Sequence, residues 1–537
     1  MRLTVVAVLL SLCAALSLAE LFTSMAHMER LLSMEKDVPV VIERYIEMEQ
    51  KRLAELKEFS REYAKRNNLA LTQGAQAISN PVNAYLLIKR LTSDWDYVEL
   101  LMKHNLADTF ITNVTQQRQS SAYRFPAQED LDGAATALMR LQDTYRLDTT
   151  EIADGNIKGV SDSDSLNAND CYVLGRAAYK VQDYYHTSLW MQEALNRLEN
   201  EEPPSVSETD VLEHLSFALY HQGNVKRALS LARRLYAMDP GHPRIQGNIK
   251  WYEDELDQLG QKKDTAEIPP LQLTRNEDSY LPERAIYEAL CRGEVPESVK
   301  QTSKYSCYYK QDRPYLKLAP VKVEVIHLNP MAVLFKDVIH DSEIAVIKAL
   351  ATPKLNRATV HNKETGQLEF ATYRISKSAW LKDGEHEVVH RVNARMDLMT
   401  NLNMETAEEL QIANYGIGGH YDPHFDHARK DEPHAFESLG TGNRIATVLF
   451  YLSQPEAGGA TVFVEEKATV FPSHHDALFW YNLHRDGEGD MRTRHAACPV
   501  LSGVKWVANK WIHERGQEFR RPCGLRRTAH ETYVGEL

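Results

Sequence analysis

The chain of 537 residues has little cysteine, six residues in all. That is too few for a disulfide scaffold but enough for one or two staples in an oxidising compartment. Glycine (25) and proline (21) are not in excess, which excludes a triple-helical or low-complexity chain. Positive charge is in deficit: Lys+Arg 62 against Asp+Glu 75 leaves a net charge of −13. No nucleic-acid partner is expected, because neutralising phosphates dominates such binding. Past the N-terminal leader, no stretch approaches the roughly 18 consecutive apolar residues of a membrane span. What remains is a globular composition, 43% hydrophobic and 26% charged, long enough for about three or four domains.

Arg2, the apolar residues 3–12 and Ser17-Leu18-Ala19 have the layout of a cleavable secretory signal, so residues 1–19 are expected to be removed. Cys13 leaves with them. Cys171, Cys291, Cys307, Cys498 and Cys523 remain, an odd count that implies one free thiol or an intermolecular bond. Short loops close most easily, so Cys291 with Cys307 and Cys498 with Cys523 is the simplest pairing, with Cys171 unpaired. The other pairings stay open at this point. Asn113-Val114-Thr115 is an N-glycosylation sequon. The chain ends Val534-Gly535-Glu536-Leu537 without a Lys-Asp-Glu-Leu type signal, so export or retention by a partner is expected.

The pattern along the chain suggests four parts after the signal. Residues 20–150 read as a helical dimerisation region. Leu21, Met25, Met28 and Leu32 form a coiled-coil-like seam. Pro39 interrupts it, and Ile42, Ile46, Leu53 and Leu56 form a second stripe; Glu35 and Glu49 break both. Residues 151–255 contain a repeat: Leu174-Gly175-Arg176-Ala177-Ala178-Tyr179 matches Leu215-Ser216-Phe217-Ala218-Leu219-Tyr220, 41 residues on. Such punctuation belongs to tetratricopeptide helix pairs, whose usual period is about 34; an insertion at residues 200–207 accounts for the excess. The repeat carries Tyr172, Tyr179, Tyr184, Tyr185, Trp190, Phe217 and Tyr220. An aromatic-lined helical array suits an extended polyproline II peptide. Residues 256–325 read as a linker with a disulfide loop. From there to 537 the alternation of Val321, Val323 and Val325, short apolar runs and recurring Gly indicate a β-rich domain with helices at its start.

Two metal motifs compete. His386-Glu387-Val388-Val389-His390 matches the zinc-peptidase pattern, in which two His on one helix face bind zinc and Glu acts as base. Asp383-Gly384 just before it places it at a helix start, and Arg391 follows at once, so a solvated helix end is the favoured reading. The second motif is His424-Phe425-Asp426 with a distant His495. On a strand, residues two apart share a face. A later His then completes the two-His, one-carboxylate triad of non-haem Fe(II) oxygenases. Lys505 heads a further strand-like run, where a cation can hold the far carboxylate of a 2-oxo acid.

Around these residues the chain closely resembles the catalytic α subunits of the collagen prolyl 4-hydroxylases. The matching motifs occur in order. They are Asn414-Tyr415-Gly416, Tyr421-Asp422-Pro423-His424-Phe425-Asp426, Gly458-Gly459-Ala460-Thr461-Val462-Phe463 and Thr493-Arg494-His495-Ala496-Ala497-Cys498-Pro499, with residues 373–380, 441–447 and 509–516. The resemblance runs the length of the chain. It implies an all-α N-terminal part and a tetratricopeptide-like peptide-binding domain, followed by a double-stranded β-helix (jelly-roll) catalytic domain. It implies Fe(II) on His424, Asp426 and His495. Lys505 would hold 2-oxoglutarate, helped by Thr461 and Tyr415, with His513 assisting. Arg444, Tyr421 and Trp511 would grip the proline peptide in the catalytic domain. In the repeat domain Tyr179, Phe217 and Tyr220 are the candidates. It also implies the pairs Cys291–Cys307 and Cys498–Cys523. His420 departs from the family pattern, which has Gln there, and bears on substrate fit rather than on metal.

The implied reaction hydroxylates proline at C4 in X-Pro-Gly repeats, using 2-oxoglutarate and O₂ and giving succinate and CO₂, with L-ascorbate rescuing oxidised iron. Lys at the 2-oxoglutarate position separates this family from relatives that use Arg. The family's α2β2 assembly with protein disulfide isomerase as β, in the endoplasmic reticulum lumen, accounts for the missing retention signal. The alternatives are a non-enzymatic procollagen-binding subunit and a zinc metallopeptidase using His386, Glu387 and His390.

Overall fold

The computed structural model of the chain describes residues 23–74, 81–103, 107–108, 110–112, 114, 126–157, 163–261, 263, 268–275, 281–361, 368–371, 373–432 and 434–525. The proposed signal segment, Leu21 and the sequon residue Asn113 lie outside the described residues. Two compact units are formed, one over Met28–Pro126 and one containing Ala127–Leu537.

The first unit is helical. The helix Met25–Glu35 ends before Pro39, as expected, and Pro39 stands in the first turn of the 36-residue helix Val38–Gln73, where a missing N–H costs nothing. Ile42, Ile46 and Leu53 of the second stripe are exposed on this helix.

In the second unit, the helices Ala168–Lys180, Tyr184–Leu198, Glu208–His221, Val225–Met238 and Ile245–Gln258 stack in sequence around one core. The repeated positions face that core: Gly175, Ala177, Ala178, Leu215, Ser216, Ala218 and Leu219 are buried, and Leu174 packs against it half-buried. Gly175 admits the close approach of Met191, since a Cβ there would lie 3.0 Å from its methyl carbon. Residues 199–207 form the longer connection that the 41-residue offset required. The helix Gln128–Tyr145, grouped by sequence with the N-terminal part, packs into this core through Ala135, Met139, Leu141 and Tyr145. Trp190 Nε1 donates to its Gln142 Oε1 at 3.1 Å.

The rest of the unit is built on two antiparallel sheets. The larger has nine strands in the order Cys307–Lys310, Val321–Leu328, Met331–Lys336, Ala477–Tyr481, Arg444–Tyr451, Trp506–His513, Leu410–Asn414, Lys377–Leu381 and Asn356–Arg357. The smaller runs Ala468–Val470, Thr461–Phe463, His495–Ala497, His420–His424 and Arg374–Ile375. The large-sheet strands are apolar on both faces because both are covered. Ala477, Phe479 and Tyr481 face one layer, where the helices Asp341–Ala351 and Glu387–Thr400 add Ile344, Ile347, Val392 and Met396. Leu478 and Trp480 face the other, with Phe463, Ala468 and Val470 from the small sheet. This second layer is the interior of a jelly roll.

Within the segment expected as a linker, residues 281–325 are structured. Leu281 and the helix Arg284–Cys291 cover the outer face of the small sheet, burying Tyr287 and Leu290 against Val462 and Ala496. This packing corrects the expected disulfides. Cys291 is bonded to Cys498, 207 positions on in the chain, with Cα atoms 5.5 Å apart. Cys307, on the edge strand, and Cys523 are free and exposed, and Cys171 is free and buried as expected. Packing of the helix Arg284–Cys291 on the small sheet, rather than loop length, brings the two distant cysteines together. Among the described residues, no helix is long and apolar enough to cross a membrane.

Candidate active site

His424 ends one strand of the small sheet and His495 begins its neighbour, and the two stand directly opposite in register. Asp426 follows two residues on. Its carboxylate lies 3.8 Å from His424 Nε2 and 3.6 Å from His495 Nε2. The three donor atoms fall within 4.8 Å of one another. Each imidazole is oriented by its other nitrogen. His424 Nδ1 bonds the Asp422 carbonyl at 2.7 Å, and His495 Nδ1 bonds the Thr493 carbonyl at 2.9 Å. That sets Nδ1 as the N–H and leaves Nε2 to act as a ligand.

Burial and the neighbouring His495 push His424 well below the ordinary imidazole range, keeping it neutral. Burial raises Asp426, but His495 and His424, with Arg444 and Thr447, outweigh it and hold the carboxyl at about 2. Thr447 Oγ1 donates to Asp426 Oδ2 at 2.7 Å. Behind it, Asn482 Nδ2 donates to Thr447 Oγ1 at 2.9 Å, and Trp480 Nε1 donates to Asn482 Oδ1 at 2.8 Å. The sequence reading missed this chain; the only signal was polar residues inside the apolar strand Arg444–Tyr451 and after Ala477–Tyr481. The donor set fits a divalent iron, with two imidazole nitrogens and one ionised carboxylate converging.

Lys505 is 1% exposed. Its Nζ donates to the Gly459 carbonyl at 2.7 Å and sits 4.9 Å from the Tyr415 ring centre. Burial alone pulls it down to about 7, and no acidic group contributes. A buried cation with no charged partner suits an anionic ligand. Tyr415 is pushed up to about 12, mainly by burial, and so stays a neutral phenol. Thr461 accepts from Tyr451 Oη at 2.9 Å; it shares its strand face with Phe463, whose ring lies 5.9 Å from His495. Tyr451 is a further residue that sequence reading missed.

A cleft of about 1130 Å³ opens over the triad, lined by His424 and Asp426 and by all three expected peptide-gripping residues, Tyr421, Arg444 and Trp511. The Tyr421 ring stacks on His424 at 3.5 Å. Arg444 lies 4.0 Å from the Trp511 ring and forks onto Glu408 through Nε and Nη2. Burial raises Glu408, but Arg444 and His513 hold it at about 2. His513, expected beside 2-oxoglutarate, has both ring nitrogens committed elsewhere. Nε2 bonds Glu408 at 3.0 Å and Nδ1 meets the Gly442 carbonyl and Thr441 Oγ1. The strand register that sets Arg444 opposite His513 brings this group together. His420 is buried at the start of the strand that ends in His424, 3.4 Å from Asp422, and burial keeps it neutral.

The chain is 58% identical over 531 residues to prolyl 4-hydroxylase subunit alpha-2 of Caenorhabditis elegans, covering 98% of each chain. The chain belongs to the prolyl 4-hydroxylase α-subunit family. It is 48% identical over 515 residues to subunit alpha-1 of Rattus norvegicus, covering 94% of this chain and 95% of the relative. Three family models match: the prolyl 4-hydroxylase alpha-subunit N-terminal region over 24–159, the prolyl 4-hydroxylase peptide-substrate-binding domain over 168–258, and the 2OG-Fe(II) oxygenase superfamily over 410–513. A solved viral collagen prolyl hydroxylase from Paramecium bursaria Chlorella virus-1, with 2OG, aligns at 25% identity and a TM-score of 0.27, covering 34% of this chain and 94% of that one.

In this family member the peptide-substrate-binding domain carries a continuous aromatic strip. Tyr179 touches His214 (4.9 Å) and Phe217 (5.7 Å); Phe217 continues to His221 (4.6 Å) and Trp251 (6.4 Å); Tyr220 meets Trp251 (4.7 Å). Tyr179, Phe217 and Tyr220 are half-buried on the strip, whereas Trp190 is core. His214, His221 and Trp251 were not anticipated.

The peptidase-like motif does not assemble. His386 caps the helix Glu387–Thr400 from outside, its Nδ1 accepting from Val388 N, while His390 bonds Asp383. Glu387 is 81% exposed. Among the described residues the only other His/Asp group with converging donors is Asp341, His474 and His475, where His475 Nε2 bonds the exposed Asp341 carboxylate at 2.8 Å.

Proposed function

We propose that the chain is the catalytic α subunit of a procollagen-proline 4-dioxygenase, acting on X-Pro-Gly repeats. The observation that carries the reading is the His424–Asp426–His495 cluster in one domain with a buried, uncompensated Lys505. His424, Asp426 and His495 would hold Fe(II). Lys505, with Thr461 and Tyr415, would hold the far carboxylate of 2-oxoglutarate. When bound, the metal with 2-oxoglutarate and O₂ supplies the oxidation that converts C4–H of proline to C4–OH, releasing succinate and CO₂.

The chain's own residues bind, orient and exclude water. Tyr421, Arg444 and Trp511 grip the proline-containing segment in the cleft. His513 and Glu408 hold the Arg444 guanidinium, so His513 positions the peptide clamp rather than the cosubstrate. The apolar jelly-roll interior keeps water from the reacting centre. The repeat domain, with Tyr179, Phe217 and Tyr220 on its strip, holds neighbouring repeats in polyproline II form and raises their local concentration at the catalytic site.

The finer reading has residues 1–19 as a cleaved signal, 20–150 as dimerisation region, 151–255 as peptide domain, 256–325 as connection and 326–537 as oxygenase. The chain acts in the endoplasmic reticulum lumen, glycosylated at Asn113, reactivated by L-ascorbate and joined in α2β2 with protein disulfide isomerase. The core test is succinate release from 2-oxoglutarate with a (Pro-Pro-Gly)-type peptide. Turnover is expected in wild type and lost in His424→Ala. Equal turnover in both sinks the reading, and peptide binding without turnover supports a non-enzymatic subunit.

A further inference from the structure

The antiparallel pairing that sets His424 opposite His495 also brings the far ends of their strands together. The loop 416–419 enters one strand and the segment 499–501 leaves the other, and Val500 N donates to the Gly419 carbonyl at 3.1 Å. Both ends land on the helix Gln128–Tyr145, which packs into the core of the peptide-binding domain. Ile417 and Leu501 pack against that core. Gly418 lies so close that a Cβ would sit 2.7 Å from the Ala137 carbonyl oxygen, and Arg140 Nη1 donates to the Gly418 carbonyl at 3.3 Å.

At the end of this helix Tyr145 reaches a single carbonyl, that of Pro499, and donates to it at 2.5 Å. Gly459 N donates to the same carbonyl at 3.0 Å. The Gly459 carbonyl in turn receives Lys505 Nζ at 2.7 Å. The turn that makes this possible has positive φ at Gly458 (+76°) and Gly459 (+69°), and a Cβ on Gly458 would lie 2.6 Å from the Tyr145 hydroxyl. Tyr145 is 8% exposed, and nothing in the proposed reaction uses it.

We propose that Tyr145 is a positioning residue of the 2-oxoglutarate site, contributed by the helix Gln128–Tyr145 that packs into the core of the peptide-binding domain. It acts through the Pro499 carbonyl and the Gly458–Gly459 turn to place Lys505. The inference rests on the reading that Lys505 holds the cosubstrate. One helix therefore ties the domain that receives the peptide to the loop that aims the lysine.

The test uses the full chain assembled with its partner subunit. Tyr145→Phe removes the hydroxyl and keeps the ring in its packing. Labelled 2-oxoglutarate binding is measured at equilibrium without oxygen, beside KM for 2-oxoglutarate and for a (Pro-Pro-Gly)-type peptide, with Lys505→Ala as control. Tyr145→Phe is expected to weaken 2-oxoglutarate binding about two- to ten-fold, the size of one neutral hydrogen bond, and to leave the peptide KM unchanged. Unchanged 2-oxoglutarate binding in Tyr145→Phe, with weakened binding in Lys505→Ala, overturns the proposal and spares the site. Lowered thermal stability with unchanged 2-oxoglutarate binding makes Tyr145 a purely structural contact and overturns it equally. Unchanged binding in Lys505→Ala removes the cosubstrate reading itself, and the proposal falls with it.

Discussion

Thr447 Oγ1 donates to Asp426 Oδ2 at 2.7 Å and is itself held by Asn482 at 2.9 Å. The proposed metal carboxylate is thus aimed by a residue of the opposite sheet. Thr447→Val keeps the shape and removes the donor. It is expected to weaken Fe(II) binding about 10- to 100-fold, as loss of an outer partner of a metal ligand typically does, and Asn482→Leu to do so less. Metal titration of the apo protein measures both. Wild-type affinity in Thr447→Val would show that Asp426 needs no such support.

Lys505 titrates near 7 because it is buried without a counter-charge. A carboxylate ligand binds the ammonium form, so 2-oxoglutarate affinity is full below about pH 7 and falls as pH rises through it. Lys505→Ala is expected to weaken binding about 10- to 100-fold, the range for a charge-assisted hydrogen bond. Lys505→Arg, charged throughout, should flatten the profile. A flat wild-type profile would contradict this assignment.

Glu408 and Arg444 form a largely buried fork in the wall of the cleft. Removing one member strands the other's charge. Glu408→Ala is expected to destabilise the protein by about 3–5 kcal/mol, and Glu408→Ala with Arg444→Met to recover part of that loss. Glu408 has a lowered pKa, so the pair's contribution is present above about pH 4.5 and is lost as pH falls toward 2. Denaturant melts of the single and double variants supply the coupling. An additive double variant would rule the interaction out.

The aromatic strip predicts a separation of effects. Tyr179→Ala, Phe217→Ala and Trp251→Ala should each weaken binding of a (Pro-Pro-Gly)-type peptide by more than about 1 kcal/mol with little change in melting temperature. Tyr252 is fully buried. Its replacement by Ala should instead cost about 3–5 kcal/mol of stability, as large buried aromatics do. Calorimetry of binding and of unfolding distinguishes the two classes.

The disulfide makes a direct chemical prediction. Digestion under non-reducing conditions should yield a linked peptide containing Cys291 and Cys498, with Cys307 and Cys523 open to alkylation. Cys291→Ser with Cys498→Ser is expected to cost about 2–4 kcal/mol, and Cys307→Ser almost nothing. A fragment joining Cys291 to Cys307 would refute the packing argument.

By itself the sequence determined what depends on near neighbours or on an ordered set of motifs. The two-residue spacing of His424 and Asp426, the helix pairs punctuated by Leu174 and Leu215, and the long connection near residue 200 are local, although the strand ends at His424 and Asp426 lies just past it rather than on its face. His495, Lys505 and Arg444 were legible because each stands in a recognisable motif. Only the tertiary structure decided relations between residues distant in the chain. Cys291 meets Cys498 because a helix covers the small sheet. His513 turns to Glu408 because strand register sets it opposite Arg444. Thr447, Asn482 and Trp480 reach Asp426 because two sheets close over one interior. His386 and His390 share a zinc-like spacing, yet one caps the helix and the other stands on it. Spacing along a chain sets which residues can meet; packing of layers sets which of them do.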